Sequence, residues 1–147
     1  MIEPLIHVEV TEEEILPEEL LKKIRLPQNG AEVAFWGRVR NFNVGRKVFA
    51  VSYDIFEPLA KTIFRELCLS VQRQWGSGLS CAVIHRRGRL SVGEISVAIG
   101  VGSVHRDEAY RASRFLIEEI KHKAPIWKKE HFEGGESEWV QGHSLCQ

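Results

Sequence analysis

AEVAFWGRVR-NFNVGR-KVFAVSYDI, residues 31–55, is the stretch on which the fold depends. Its first ten residues are rich in Val, Phe and Trp and end in strict alternation. Phe35, Gly37 and Val39 fall on one side and Trp36, Arg38 and Arg40 on the other, the period of a strand. Asn43 and Gly45 supply turn chemistry in residues 41–46, and strand character resumes over residues 47–55. The pattern predicts a hairpin between the two runs with a mobile basic tip.

Upstream, residues 5–10 alternate as a strand, and Thr11 with Glu14 resembles a capping box. That box opens a short acidic helix carrying Ile15, Leu20, Leu21 and Ile24, closed by Pro27 and the Asn29-Gly30 turn. Downstream, Pro58 starts a helix to about Gln74, with Leu59, Ile63, Leu67 and Val71 spaced by four. Trp75-Gly76-Ser77-Gly78 breaks it. Residues 79–85 and 94–101 read as strands on either side of the basic run Arg86-Arg87-Gly88-Arg89. Ser103 is placed to cap a helix from Val104 to about Lys123, which Pro125 stops by Ala124. Residues 126–130 read as extended, Gly134-Gly135 as a turn and residues 138–140 as a closing strand. Hairpins beside single helices predict one α+β domain over residues 1–147, with a mostly antiparallel sheet and about three helices.

Composition narrows the class. Hydrophobic residues at 44% and charged residues at 27% are ordinary for a folded domain and exclude a disordered chain. No apolar run reaches the roughly 18–20 residues of a membrane span, and the opening residues lack a signal-peptide pattern, so a cytoplasmic protein is expected. The formal charge of zero is a cancellation. Residues 1–37 carry a net −5, residues 38–129 a net +9 and residues 130–147 a net −4. Three cysteines (Cys68, Cys81 and Cys146) and six scattered histidines show no CxxC or zinc spacing, which predicts no structural metal and no disulfide framework.

Three constellations carry chemistry. Gly100-Val101-Gly102-Ser103-Val104-His105 follows a strand and opens a helix, but it lacks the third glycine of a dinucleotide fingerprint. Backbone N–H groups at such a start bind anions, Gly102 allows close approach, and His105 and Arg106 add charged donors. Next, Lys121 lies in the last turn of the same helix, and Lys128 lies three residues past Pro125. On an extended segment Ile126 and Lys128 share a face and Trp127 points opposite, so a helix end and a returning strand can bring two ammonium groups into one pocket; the alternative is that Lys121 and Lys123 complement the helix dipole and Lys129 is simply solvated. A second cation and partial burial lower a lysine's pKa and make it a usable nucleophile or proton shuttle. Last, Arg40 ends the first strand within reach of an anion, while Arg38 serves to blunt a sheet edge. Trp75 and Trp127 read as core or interface anchors.

The strings Phe35-Trp36-Gly37-Arg38-Val39-Arg40-Asn41, Ile84-His85-Arg86-Arg87-Gly88, Ser103-Val104-His105-Arg106, and Lys121 through Glu130 with its Ala124-Pro125-Ile126-Trp127-Lys128-Lys129 core, followed by Trp139-Val140, resemble the molybdopterin synthase catalytic (large) subunit, the MoaE family. They occur in that family's order over residues 6–143. The resemblance implies an α/β-hammerhead fold and a homodimer. Each subunit would bind a small ubiquitin-like sulfur carrier of the MoaD type, whose C-terminal Gly-Gly thiocarboxylate threads into the site, giving a heterotetramer. The implied activity is that of a sulfurtransferase that requires no metal or redox cofactor. It moves two sulfurs onto cyclic pyranopterin monophosphate (precursor Z) to form the dithiolene of molybdopterin in molybdenum cofactor biosynthesis. By the same resemblance Lys121 and Lys128 are the catalytic lysines. Arg40, His105 and Arg106 bind phosphate and pterin, the last two across the dimer, and Phe35 and Ile117 wall the pocket. His143 stands where some members carry an arginine. A non-enzymatic anion- or nucleic-acid-binding domain is the alternative from another class. The basic residues flank turns and helix ends rather than forming a stripe, and no nucleic-acid-binding motif accompanies them. A carrier-binding scaffold without catalysis would have lost Lys121 and Lys128, and both are present.

Overall fold

The structure is a computed structural model that describes residues 6–135 and 137–139. Two sheets and three helices follow in the order β1 (Ile6–Thr11), α1 (Pro17–Ile24), β2 (Ala31–Arg38), β3 (Phe42–Asn43), β4 (Arg46–Ile55), α2 (Glu57–Trp75), β5 (Ser80–Arg86), β6 (Gly88–Ser91), β7 (Ile95–Ser103), α3 (Arg106–Lys123), β8 (Ile126–Phe132) and β9 (Ser137–Trp139). The first sheet runs β1-β5-β7-β2, parallel only between β1 and β5. Its central strands are buried on both faces, because α2 and α3 cover one side and α1 the other. Alternation sorts their side chains: Cys81, Val83, Val97 and Ile99 face α2 and α3, while Ala82, Ile84 and Ala98 face Leu20 and Ile24 of α1. The second sheet, β3-β4-β8-β9 with β6 beside β4, closes on Val39, Val48, Val51, Leu90 and Phe132. The α+β class and the three helices are as expected, and every pairing but one is antiparallel.

The hairpin expected between residues 31–40 and 47–55 is not formed. β2 pairs with β7, bulges between Gly37 and Arg38, and the chain then crosses to the second sheet. Alternation defines a strand but not its partner, and the buried strand β7 offers the larger apolar edge. The turn chemistry closes a much shorter hairpin, in which β3 pairs with the start of β4. Val44 (φ 50°) and Gly45 (φ 73°) are both left-handed there, as a two-residue type I′ loop requires. Three helix expectations also shift. Thr11 accepts a bond from the Glu13 N–H, but α1 starts only at Pro17, with Leu16 at the N-cap and no side-chain cap. Ser103 ends β7, and its hydroxyl donates to the His105 carbonyl, so His105 holds the N-cap of α3. On α2 the buried stripe is Ala60, Phe64, Leu67, Cys68 and Val71, which leaves Leu59 exposed. The stop before Pro125 falls where proline geometry demands it, at Lys123. Cys68 and Cys81 are buried free thiols, and Cys146 and Val140 lie outside the described residues.

Candidate active site

The site forms where the two sheets meet the C-terminal end of α3. Register supplies its floor: His85 on β5 and Gly37 on β2 both pair with Val97 of β7, so the three form one row across the sheet. Gly37 keeps that row open, since a Cβ there would lie 2.6 Å from Val97 Cγ1. The second sheet adds a wall, because Tyr53 of β4 pairs directly with Lys128 of β8 and cross-strand partners share a face. The last turns of α3 contribute Ile117, Ile120 and Lys121, and the exit of β2 contributes Phe35, Arg38 and Arg40. Together they line a cavity of about 370 Å³, within the usual range for a small-molecule site.

The electrostatics are those of a site for anions. Burial holds the Lys128 ammonium below its ordinary pKa, Glu130 opposes this, and the positive charges of Arg40 and Lys121 lower it further. Glu130 is buried and accepts a 2.6 Å bond from Asn43 Nδ2, while Asn43 Oδ1 faces Arg40 Nη2 at 3.5 Å. Through Asn43 one buried carboxylate thereby ties the type I′ hairpin to Arg40, while its charge acts on Lys128. The other basic residues of this region are engaged elsewhere. Lys123 pairs with Glu119 at 3.0 Å, and Lys129 lies over the Trp139 ring. Trp127 points outward and is exposed, as alternation along β8 requires, and Trp75 packs edge-on against Phe115.

Two polar groups on the floor were not singled out from the sequence. His85 is almost fully buried, its Nδ1 lies 2.8 Å from the Arg86 carbonyl, and Tyr53 meets its ring edge-to-face with centroids 5.0 Å apart. Burial pushes the His85 pKa down to about 4, against the opposing pull of that carbonyl. Tyr53 is raised, chiefly by burial, with its hydroxyl bonded to Ser96; the Ser96 hydroxyl donates to the Gly37 carbonyl at 3.2 Å. A lone histidine on an apolar strand reads as core, and only its place in the Ile84-His85-Arg86 string marked it. Arg38, expected only to blunt an edge, lines the cavity while donating to the Gly93 carbonyl at 2.8 Å.

The cavity therefore unites Phe35, Arg40, Ile117, Lys121 and Lys128. His105 and Arg106 are not part of it. Fifteen residues of helix separate Arg106 from Lys121, about 22 Å along the axis, so the two mark opposite ends of α3 and only Lys121 lines the cavity. His143 lies outside the described residues. The anion-site reading of Gly102 needs correction: a Cβ there would meet Asn29 Nδ2, the Ile24 carbonyl and Ser80 Oγ at 2.5–2.6 Å. That space belongs to the end of α1, so the glycine serves packing. Among the described residues no group of three His, Cys, Asp or Glu side chains is placed to hold a metal, and no helix is long and apolar enough to cross a membrane.

An α+β fold whose two sheets and long helix close on a lysine- and arginine-lined pocket defines a protein that handles a small anionic ligand. The particular family is the MoaE protein family, to which the chain belongs: the family model matches residues 10–123. A molybdopterin synthase catalytic subunit from Synechococcus elongatus is 50% identical over 118 residues, covering 80% of this chain and 72% of that protein. The crystal structure of molybdopterin synthase from Staphylococcus aureus superposes with a TM-score of 0.83 at 36% identity, covering 97% of this chain and 99% of the other. A complex of subunits 1 and 2 of molybdopterin-converting factor from Helicobacter pylori shares the fold, with a TM-score of 0.73 at 24% identity over 95% and 92% of the two chains.

Proposed function

We propose that this chain is a single-domain, cytoplasmic molybdopterin synthase catalytic subunit. It transfers sulfur from the C-terminal thiocarboxylate of a small ubiquitin-like carrier to cyclic pyranopterin monophosphate. The observation that carries this reading is the convergence of Lys121, Lys128 and Arg40 on one cavity walled by Phe35 and Ile117, in a chain of the MoaE family. The thiocarboxylate and the substrate phosphate are both anions, and preorganised cations stabilise such charge as it shifts in the transition state. Lys121, at the end of α3, orients the carrier's terminal carbonyl and sulfur. Lys128 is held partly buried beside two cations, so it gives up a proton more readily than a solvated lysine and moves protons at the pterin. The sulfur arrives on the carrier, and no cysteine of this chain is given a chemical role.

Arg40 binds the phosphate. His105 and Arg106 at the start of α3 complete the site of a second copy, which makes the working unit a homodimer and, with two carriers, a heterotetramer. His143 is proposed as a substrate-binding residue by the family resemblance alone. The experiment is product formation from thiocarboxylated carrier and precursor. Lys121→Ala and Lys128→Ala should each remain folded and lose dithiolene product by at least about a hundredfold. Near-normal turnover by both variants would refute the assignment.

A further inference from the structure

Resting on the substrate assigned above, we propose that His85 orients the pterin: its Nε2 lone pair accepts a hydrogen bond from a ring N–H of the substrate at the cavity floor. The assignment of the tautomer follows from the partner. A carbonyl oxygen only accepts, so the Nδ1 that lies 2.8 Å from the Arg86 carbonyl carries the ring proton, and Nε2 is left with the lone pair. His85 lines the cavity, in the same row as Gly37, whose missing side chain keeps the floor open. The Tyr53 ring fixes its plane from the side at an interplanar angle of 71°.

The other polar side chains of the wall do a different job. Arg38, Arg40, Lys121 and Lys128 present donors and positive charge, which suit a phosphate or thiocarboxylate but offer nothing to an N–H. The two hydroxyls already spend part of their bonding capacity within the wall, Tyr53 on Ser96 and Ser96 on the Gly37 carbonyl. A pterin carries N–H donors on its ring system as well as an anionic phosphate ester, so recognition needs an acceptor at the floor and cations at the rim. His85 is the side chain built for the first of these. Because the imidazole is buried and neutral at physiological pH, it stays an acceptor there.

The test uses the whole protein with its carrier. In ring-labelled wild-type protein, ¹⁵N NMR should show His85 Nε2 unprotonated, and saturating cyclic pyranopterin monophosphate should move that resonance upfield, whereas inorganic phosphate should not. His85→Phe should raise KM for the pterin about three- to tenfold with kcat nearly unchanged, as loss of one ground-state hydrogen bond predicts, and His85→Gln, which restores an acceptor, should recover most of it. Should the Phe variant fail to fold, the wild-type resonance and the Gln variant carry the test. A pterin that binds while leaving the Nε2 resonance in place overturns the role of His85 and spares the substrate assignment. A wild-type protein to which the pterin does not bind overturns both.

Discussion

Replacing Gly102 by alanine tests whether the glycines that open α3 serve packing or an anion. The added Cβ would lie 2.5 Å from Asn29 Nδ2 and 2.6 Å from both the Ile24 carbonyl oxygen and Ser80 Oγ. Ordinary contact begins at 3.4 Å, so each neighbour must retreat by about 0.8–0.9 Å. Those three groups form one cluster at the C-terminal end of α1. Ser80 Oγ donates to the Ile24 carbonyl at 2.6 Å, and Asn29 Nδ2 reaches Ser80 Oγ at 3.2 Å and the same carbonyl at 3.4 Å. Movement on that scale breaks the bonds to a buried helix-terminal carbonyl. Overpacking costs about 1–3 kcal/mol and an unsatisfied buried acceptor about as much again, and partial relaxation brings the total to roughly 2–4 kcal/mol. For a domain of this size the loss should lower Tm by roughly 10 °C.

Urea unfolding followed by circular dichroism measures this cost, with an unchanged m-value as the control for two-state behaviour. Gly78→Ala is the matched comparison, since nothing lies within 4 Å of a Cβ at that position. Its backbone also lies outside the left-handed region, so the exchange should be neutral or stabilise by up to about 1 kcal/mol. Turnover of Gly102→Ala, assayed well below its own Tm, should stay near wild type, because the groups its Cβ displaces are Asn29, Ile24 and Ser80, none of which is assigned to the site. A Gly102→Ala protein as stable as Gly78→Ala but unable to bind substrate would refute the packing argument and restore the anion-site reading.

Three further outcomes follow from the same geometry. Lys121→Met removes a positive neighbour from Lys128 and should move the basic-side pH dependence of Lys128 labelling by an amine-reactive reagent to higher pH, whereas Glu130→Gln should move it to lower pH. His85 has a folded pKa of about 4 against an unfolded value near 6.5, so the unfolded state binds more protons between those values. Its contribution to stability is therefore complete above about pH 6.5 and falls away as the pH drops towards 4, by about 3 kcal/mol, a slope that pH-dependent urea unfolding should show and that His85→Gln should abolish. Lys121→Ala and Arg106→Ala proteins, each inactive alone, should regain about a quarter of wild-type activity when unfolded and refolded together, because half of the random dimers then carry one intact composite site.

The fold was legible wherever local chemistry decides it. Proline geometry at Pro125 fixed the end of α3, and alternation from Ile126 to Lys128 turned Trp127 out and Lys128 in, so spacing allowed Lys121 to meet Lys128 but equally allowed solvated lysines at a helix end, and only the family strings chose between them. Partner choice was not legible. The run that opens at Ala31 alternates equally well against β4 or β7, and it pairs with β7, where both faces are buried. The same limit hid the floor of the pocket. Tyr53, His85 and Gly37 are far apart in sequence and meet only through the register of β4 with β8 and of β5 and β2 with β7. Gly102 shows the converse hazard: a glycine before a helix suggested an open backbone for a ligand, and the space is filled by the end of another helix.

The segregated charge of the chain also takes on a physical meaning in the site. Four cations on one small cavity repel one another, and burial of Lys128 adds the cost of leaving water. Both effects drive the lysine towards neutrality, and left alone they would disfavour the charged pocket in the absence of ligand. The counterweight is Glu130, the first residue of the acidic C-terminal segment. Buried and bonded to Asn43, it sits on β8 two residues from Lys128 and therefore on the same face of the strand. Its charge restrains the fall of the lysine's pKa, and through Asn43 its position reaches Arg40. The acidic end is therefore not wholly outside the chemistry. One carboxylate drawn from it lets the basic middle stay clustered and charged until an anionic ligand supplies the rest of the compensation.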